Sequence, residues 1–147
     1  MSEAGHDIVD WVHFEKSRGE LGPGFIRILS YFREDGVKSV SQIEQAMRQQ
    51  NTAALVLPAH TLKGEARQFG AEPLAEIAEL IETTARFCIE SRRFPDELVP
   101  EVVQLRQLFE QTITLFDEAT NPRLSRGPAG PTGGFGRKVA NQGFGRL

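Results

Sequence analysis

Ala59-His60-Thr61-Leu62-Lys63-Gly64-Glu65-Ala66-Arg67-Gln68-Phe69-Gly70 is the stretch on which the fold turns. On a helix advancing about 100° per residue, Leu55, Ala59, Leu62, Ala66 and Phe69 share one apolar face. Val56, His60, Lys63, Gly64 and Arg67 share another, so the His60 imidazole is expected to face water. Lys63 and Gly64, at i+3 and i+4, are its surface neighbours, and Arg67 lies one turn further on. A histidine beside fixed cations and a residue without a side chain suits an anionic group arriving at, or leaving, an imidazole nitrogen.

Helical periodicity continues on both sides. Asp7 can cap a short helix running to about Lys16, with Ile8, Trp11, Val12 and Glu15 on one side and Trp11 as its anchor. A second helix is expected from Pro23 to about Gln50. Its stripe is Phe25, Ile28, Leu29 and Phe32, then Val37, Val40, Ile43, Ala46 and Met47. Gly36 either divides it or bends it. Asn51 or Thr52 caps the His60 helix, Pro58 inside it loses one backbone hydrogen bond and favours a kink, and Gly70 ends it. Pro73 opens a further helix to about Ser91 along Leu74, Ile77, Ile81, Ala85 and Cys88, a stripe widened by Leu80, Thr84 and Phe87. After a turn at Phe94-Pro95-Asp96, the last helix is expected from Glu97 to Glu118. Its stripe is Leu98, Val102, Leu105, Phe109, Thr112 and Phe116.

No segment alternates with period 2, so no strand is expected. Four long amphipathic helices with short connections predict an all-α, antiparallel four-helix bundle over residues 1–120, with a short N-terminal helix. From Asn121 the pattern stops: seven of the 14 glycines and three of the eight prolines lie in the last 27 residues. Residues 121–147 are expected to form a Gly/Pro-rich, basic, flexible tail in which Phe135 and Phe144 sit in two loosely similar segments.

Charge divides the same way. Residues 1–120 hold twelve basic against twenty acidic residues, a net −8, and residues 121–147 hold five basic and no acidic ones, +5. The acidic body disfavours nucleic-acid binding. There is no signal-peptide pattern at the start, and no apolar run approaches the roughly 18 residues of a membrane span. The single cysteine, Cys88, cannot form an intramolecular disulfide, which fits a cytoplasmic location. No His/Cys/Asp cluster has metal-ligand spacing, and no phosphate-cradling glycine loop precedes a helix, so neither a metal nor a nucleotide cofactor is expected.

His60-Thr61-Leu62-Lys63-Gly64, followed by Phe69-Gly70-Ala71, resembles the signature of the histidine-containing phosphotransfer (HPt) domain. The resemblance runs from about Asp7 to Glu118 and implies the same bundle architecture. It implies that His60 is the phosphoacceptor, attacking an aspartyl phosphate through Nε2 and passing the phosphoryl group on. Lys63 would offset charge on the phosphoryl oxygens, with Arg67 assisting, and Gly64 would leave room for the partner. It also implies a polar residue about 22 positions after the histidine that holds Nδ1, here Glu82. The partners implied are response-regulator receiver domains and a hybrid sensor kinase, with Mg2+ only in the receiver.

The chain is then expected to be a monomeric, stoichiometric phosphorelay carrier, not a kinase. The alternative is an HPt-like module that docks a receiver or another helical partner without accepting phosphate. The phosphotransfer domain of a chemotaxis-type kinase is a third possibility, which the lack of following kinase domains disfavours. His60, Lys63 and Gly64 together favour the carrier, because a docking bundle needs no histidine there.

Overall fold

The computed structural model describes residues 8–121. The cap expected at Asp7 and the tail expected beyond Asn121 lie outside the described residues. Within them all regular structure is helical: α1 Trp11–Leu21, α2 Phe25–Arg48, α3 Ala53–Gln68, α4 Glu72–Ser91 and α5 Val99–Thr120. Single 3₁₀ turns, Gly22–Gly24 and Asp96–Leu98, lead into α2 and α5. The chain divides into two units between Ile113 and Thr114, inside α5. In the shorter unit the described residues are the last turns of α5, where Thr120 Oγ1 donates to the Phe116 carbonyl at 2.9 Å. The site described below lies in the longer unit.

The first helix is capped by Asp10, whose carboxylate accepts from the His13 N–H at 3.2 Å. It runs to Leu21, past the expected end at Lys16. Its anchor is Phe14, fully buried, whereas Val12 is 83% exposed. Ring contacts then carry the core onward: Phe14 to Phe25 at 5.3 Å, Phe25 to Phe69 at 5.7 Å, Phe69 to Phe32 at 5.5 Å and Phe32 to Phe109 at 5.9 Å. Offset and edge-on aromatic pairs add stability beyond their buried area. This chain of rings ties α1, α2, the end of α3, and α5 together.

Gly36 neither divides nor ends α2, which is continuous. A Cβ there would lie 2.2 Å from Cε1 of Phe109, so the glycine lets the Phe109 ring press onto the helix backbone. α3 likewise runs unbroken through Pro58. Asn51 caps it, Oδ1 accepting from the Ala54 N–H at 3.2 Å. At its far end Gly70, φ 80°, closes the helix while the Ala71 N–H donates to the Ala66 carbonyl at 2.9 Å.

The face expected to be apolar on α3 is buried throughout: Leu55, Ala59, Leu62, Ala66 and Phe69. α3 packs extensively on α4 and also on α2. On α4 the inner face is narrower than expected. Ala75 and Ala78 occupy it with Leu74, Ile81, Ala85 and Cys88, while Leu80 and Phe87 are exposed. Leu98 in the turn before α5, and Val102, Leu105, Phe109 and Thr112 on α5, are buried as the stripe predicts.

Candidate functional site

His60 lies midway along α3, on the side opposite the buried Leu62. Its side chain is 56% exposed. From α4, Glu82 reaches across the seam and places Oε2 3.0 Å from His60 Nδ1. Glu82 is buried, its side chain only 6% exposed. Lys63 Nζ stands 2.9 Å from its other oxygen, Oε1. Arg86, one turn along α4, approaches Oε2 with Nε at 3.0 Å and Nη2 at 2.9 Å.

Burial alone would push the Glu82 carboxyl up, but hydrogen bonds from Lys63, Arg86 and His60 outweigh it and hold the carboxyl at about 2. Glu82 is therefore ionised near neutral pH and can only accept hydrogen bonds. In the neutral imidazole the proton then sits on Nδ1, which donates to Glu82. Nε2 carries the lone pair and is the nucleophilic nitrogen. The cluster holds two fixed cations against one carboxylate, so one positive charge remains in excess beside the ring. That excess favours an incoming phosphoryl group.

Gly64, one turn beyond His60, is open. A Cβ built there would meet nothing within 4 Å outside its own helix. Arg67 does not join the Glu82 cluster; it is ion-paired with Glu79 across the same seam. The structure thus brings His60, Lys63 and Glu82 together, leaves Gly64 as open space and holds Arg67 one turn away. Arg86 was not singled out by the sequence. Its spacing of i+4 from Glu82 was the available signal. On the part of α3 just before His60, Leu57 is 71% exposed and Val56 is half-buried.

Among the described residues no group of three or more His, Cys, Asp or Glu could hold a metal, and no helix is long and apolar enough to cross a membrane.

The sequence model of the Hpt domain matches residues 27–115, more than half of the 147-residue chain. The chain belongs to the Hpt domain family. A search of curated proteins finds no match. Among solved structures the chain is similar to histidine-containing phosphotransfer protein B (HptB) from Pseudomonas aeruginosa PAO1. The TM-score is 0.70 at 19% identity, over 78% of this chain and 96% of that one. At that identity the likeness concerns the fold.

Proposed function

We propose that this chain is a phosphorelay carrier. His60 accepts a phosphoryl group from a receiver-domain aspartate and passes it to another receiver. In the forward step the Nε2 lone pair attacks phosphorus, the N–P bond forms, and the P–O bond to the aspartyl oxygen breaks, leaving a carboxylate on the donor. The reverse step on a second receiver releases the imidazole. The observation that carries this reading is the half-exposed imidazole whose Nδ1 is tied to an ionised, buried Glu82.

Glu82 acts as a positioning residue: it fixes the tautomer and the ring plane. Lys63 sits where it can turn from Glu82 to the phosphoryl oxygens, and the open space at Gly64 admits the partner. Arg67, paired with Glu79, is given no step. The four long helices form an antiparallel bundle with α1 across one end, and the protein works as a cytoplasmic monomer between a hybrid kinase and a regulator. Residues 121–147 are a basic appendage that transfer does not need.

The test is incubation with isolated receiver domains phosphorylated by acetyl phosphate, read by intact-protein mass spectrometry. Wild-type chain gains one phosphate, lost in acid and stable in base. His60→Gln keeps its helical circular dichroism and gains none. Phosphate on the His60→Gln chain overturns the reading.

A further inference from the structure

His60 Nδ1 shares its oxygen on Glu82. Both Arg86 nitrogens that reach the carboxylate, Nε at 3.0 Å and Nη2 at 2.9 Å, fall on Oε2, the atom that accepts from the imidazole. Lys63 Nζ takes the other oxygen, Oε1, at 2.9 Å. Arg86 has no part in the carrier step described above.

The proton on Nδ1 governs how long a phosphoryl group stays on Nε2. Nε2 attacks with that proton in place, so the first product is a phosphoimidazolium whose Nδ1–H faces Oε2. While the ring keeps the proton, water can attack phosphorus, the N–P electron pair returns to Nε2, and the ring leaves as a neutral imidazole with inorganic phosphate as the other product. Once the proton is lost to solvent, the ring would have to leave as an imidazolide anion, and the N–P bond persists. The net charge at Glu82 decides between the two forms. A bare, buried carboxylate 3.0 Å from Nδ1 keeps the proton on the ring, and one already neutralised by a cation holds it far less.

Lys63 leaves Glu82 when it turns to the phosphoryl oxygens. Of the three groups recorded on the carboxylate, Arg86 and the ring then remain. Other charges nearby are committed elsewhere. Arg67 is paired with Glu79. Asp35 of α2 contacts Glu65, which lies about 140° around α3 from His60. We propose that Arg86 is a brake on dephosphorylation: by occupying Oε2 it neutralises Glu82, lets the phosphorylated ring shed its Nδ1 proton, and prolongs the life of the phosphohistidine. It is a positioning residue that acts through Glu82, and the inference rests on the carrier reading above.

The experiment loads the full chain with phosphoramidate, a small-molecule phosphoryl donor that needs no receiver. The donor is removed and loss of phosphate is followed by intact-protein mass spectrometry from about pH 5 to about pH 9. Any label also found on the His60→Gln chain is subtracted. Arg86→Gln removes the charge but keeps a polar side chain at an exposed position. Arg86→Met replaces it if it does not melt cooperatively. At about pH 8 the neutral variant is expected to lose phosphate about tenfold faster than wild type. Its pH profile of loss moves up by about one unit, and the two rates converge near pH 5, where both rings carry the proton. Arg86→Lys, which keeps the charge, restores most of the wild-type lifetime. In a Glu82→Gln background, with no carboxylate charge to neutralise, Arg86→Gln changes the lifetime little.

Equal lifetimes in wild type and the neutral variant overturn the inference. So does a lifetime shortened by the same factor at every pH, since Arg86 would then shield phosphorus from water and leave the proton alone. An undiminished effect in the Glu82→Gln background overturns it as well. If phosphoramidate labels His60 but no receiver exchanges phosphate with it, the carrier reading fails, and the lifetimes still judge Arg86. If His60 takes phosphate neither from phosphoramidate nor from receivers, both fail.

Discussion

Glu82 Oε2 lies within hydrogen-bonding range of both His60 Nδ1, at 3.0 Å, and Arg86 Nε, at 3.0 Å. One buried oxygen thus connects the exposed imidazole to a cation on the next helix. The carboxylate belongs to the folding of the α3–α4 seam as much as to the chemistry of the ring.

Its ionisation sets a pH dependence at acid. The Glu82 carboxyl falls from an ordinary 4.5 to about 2 in the folded chain, so the folded state favours the charged form. The stabilisation is complete above about pH 4.5 and is lost as pH falls towards 2. Glu82→Gln is expected to lower stability by about 2–3 kcal/mol at pH 7, with the gap to wild type closing near pH 2. Urea melts at several pH values measure it, and a constant gap across that range refutes the assignment.

Glu65 has the opposite sign. Burial, then a hydrogen bond with Asp35 and its like charge, raises the Glu65 carboxyl to about 7. The fold favours the protonated form here. Its stabilisation is full below about pH 4.5 and is lost as pH rises through 7. Glu65→Gln keeps a neutral group there. It is expected to match wild type near pH 5 and exceed it at pH 8 by on the order of 1 kcal/mol, partial solvation limiting the gain. Equal melting temperatures at pH 8 would contradict it.

Gly64 and Gly36 both lie inside continuous helices, with opposite expected responses to substitution. At Gly64 a Cβ meets open space. Gly64→Ala should stabilise the protein by about 1 kcal/mol through helix propensity. Gly64→Gln should fold but slow receiver transfer about a hundredfold, because about 1 Å of displacement at the reacting atoms suffices. Normal transfer by Gly64→Gln would mean that the partner approaches from another side.

Gly36→Ala should cost about 2 kcal/mol, because the new methyl group would overlap the Phe109 ring. Phe109→Leu in the same chain should cost less than the two single changes together. Thermal melts of the four proteins measure the coupling, and simple additivity would exclude the contact as the reason for this glycine.

Much of α3 was legible in the sequence because an amphipathic helix prints its own periodicity. Leu55 through Phe69 and the exposed His60 follow from spacing alone. Glu82 was reachable only through family resemblance. Arg86 was not singled out although it lies at i+4 from Glu82 on the same helix, because Glu82 itself came from the resemblance and not from spacing. Gly36 was ambiguous because its partner, Phe109, sits on α5, and no local pattern couples the two. Phe14 was overlooked beside Trp11 because the N-terminal helix is short and its apolar stripe weakly defined. Leu80 and Phe87 were assigned to the core because periodicity reports direction around a helix, not how close the next helix stands.

At the end of α3, the Gly70 carbonyl accepts from the Asp10 N–H at 2.8 Å, and a Cβ on Gly70 would sit 2.7 Å from the Asp10 carbonyl. The nucleophile's helix is therefore closed off by residues near the start of the chain, and Phe14 covers the ring of Phe25 from the same segment. For protein engineering, the portable unit begins at Val9 and not at the first long helix. A fusion junction placed just before Phe25 would remove the clasp on α3 and expose an aromatic edge, and a sensor or tag joined at the N-terminal side would sit beside the end of the helix that carries His60.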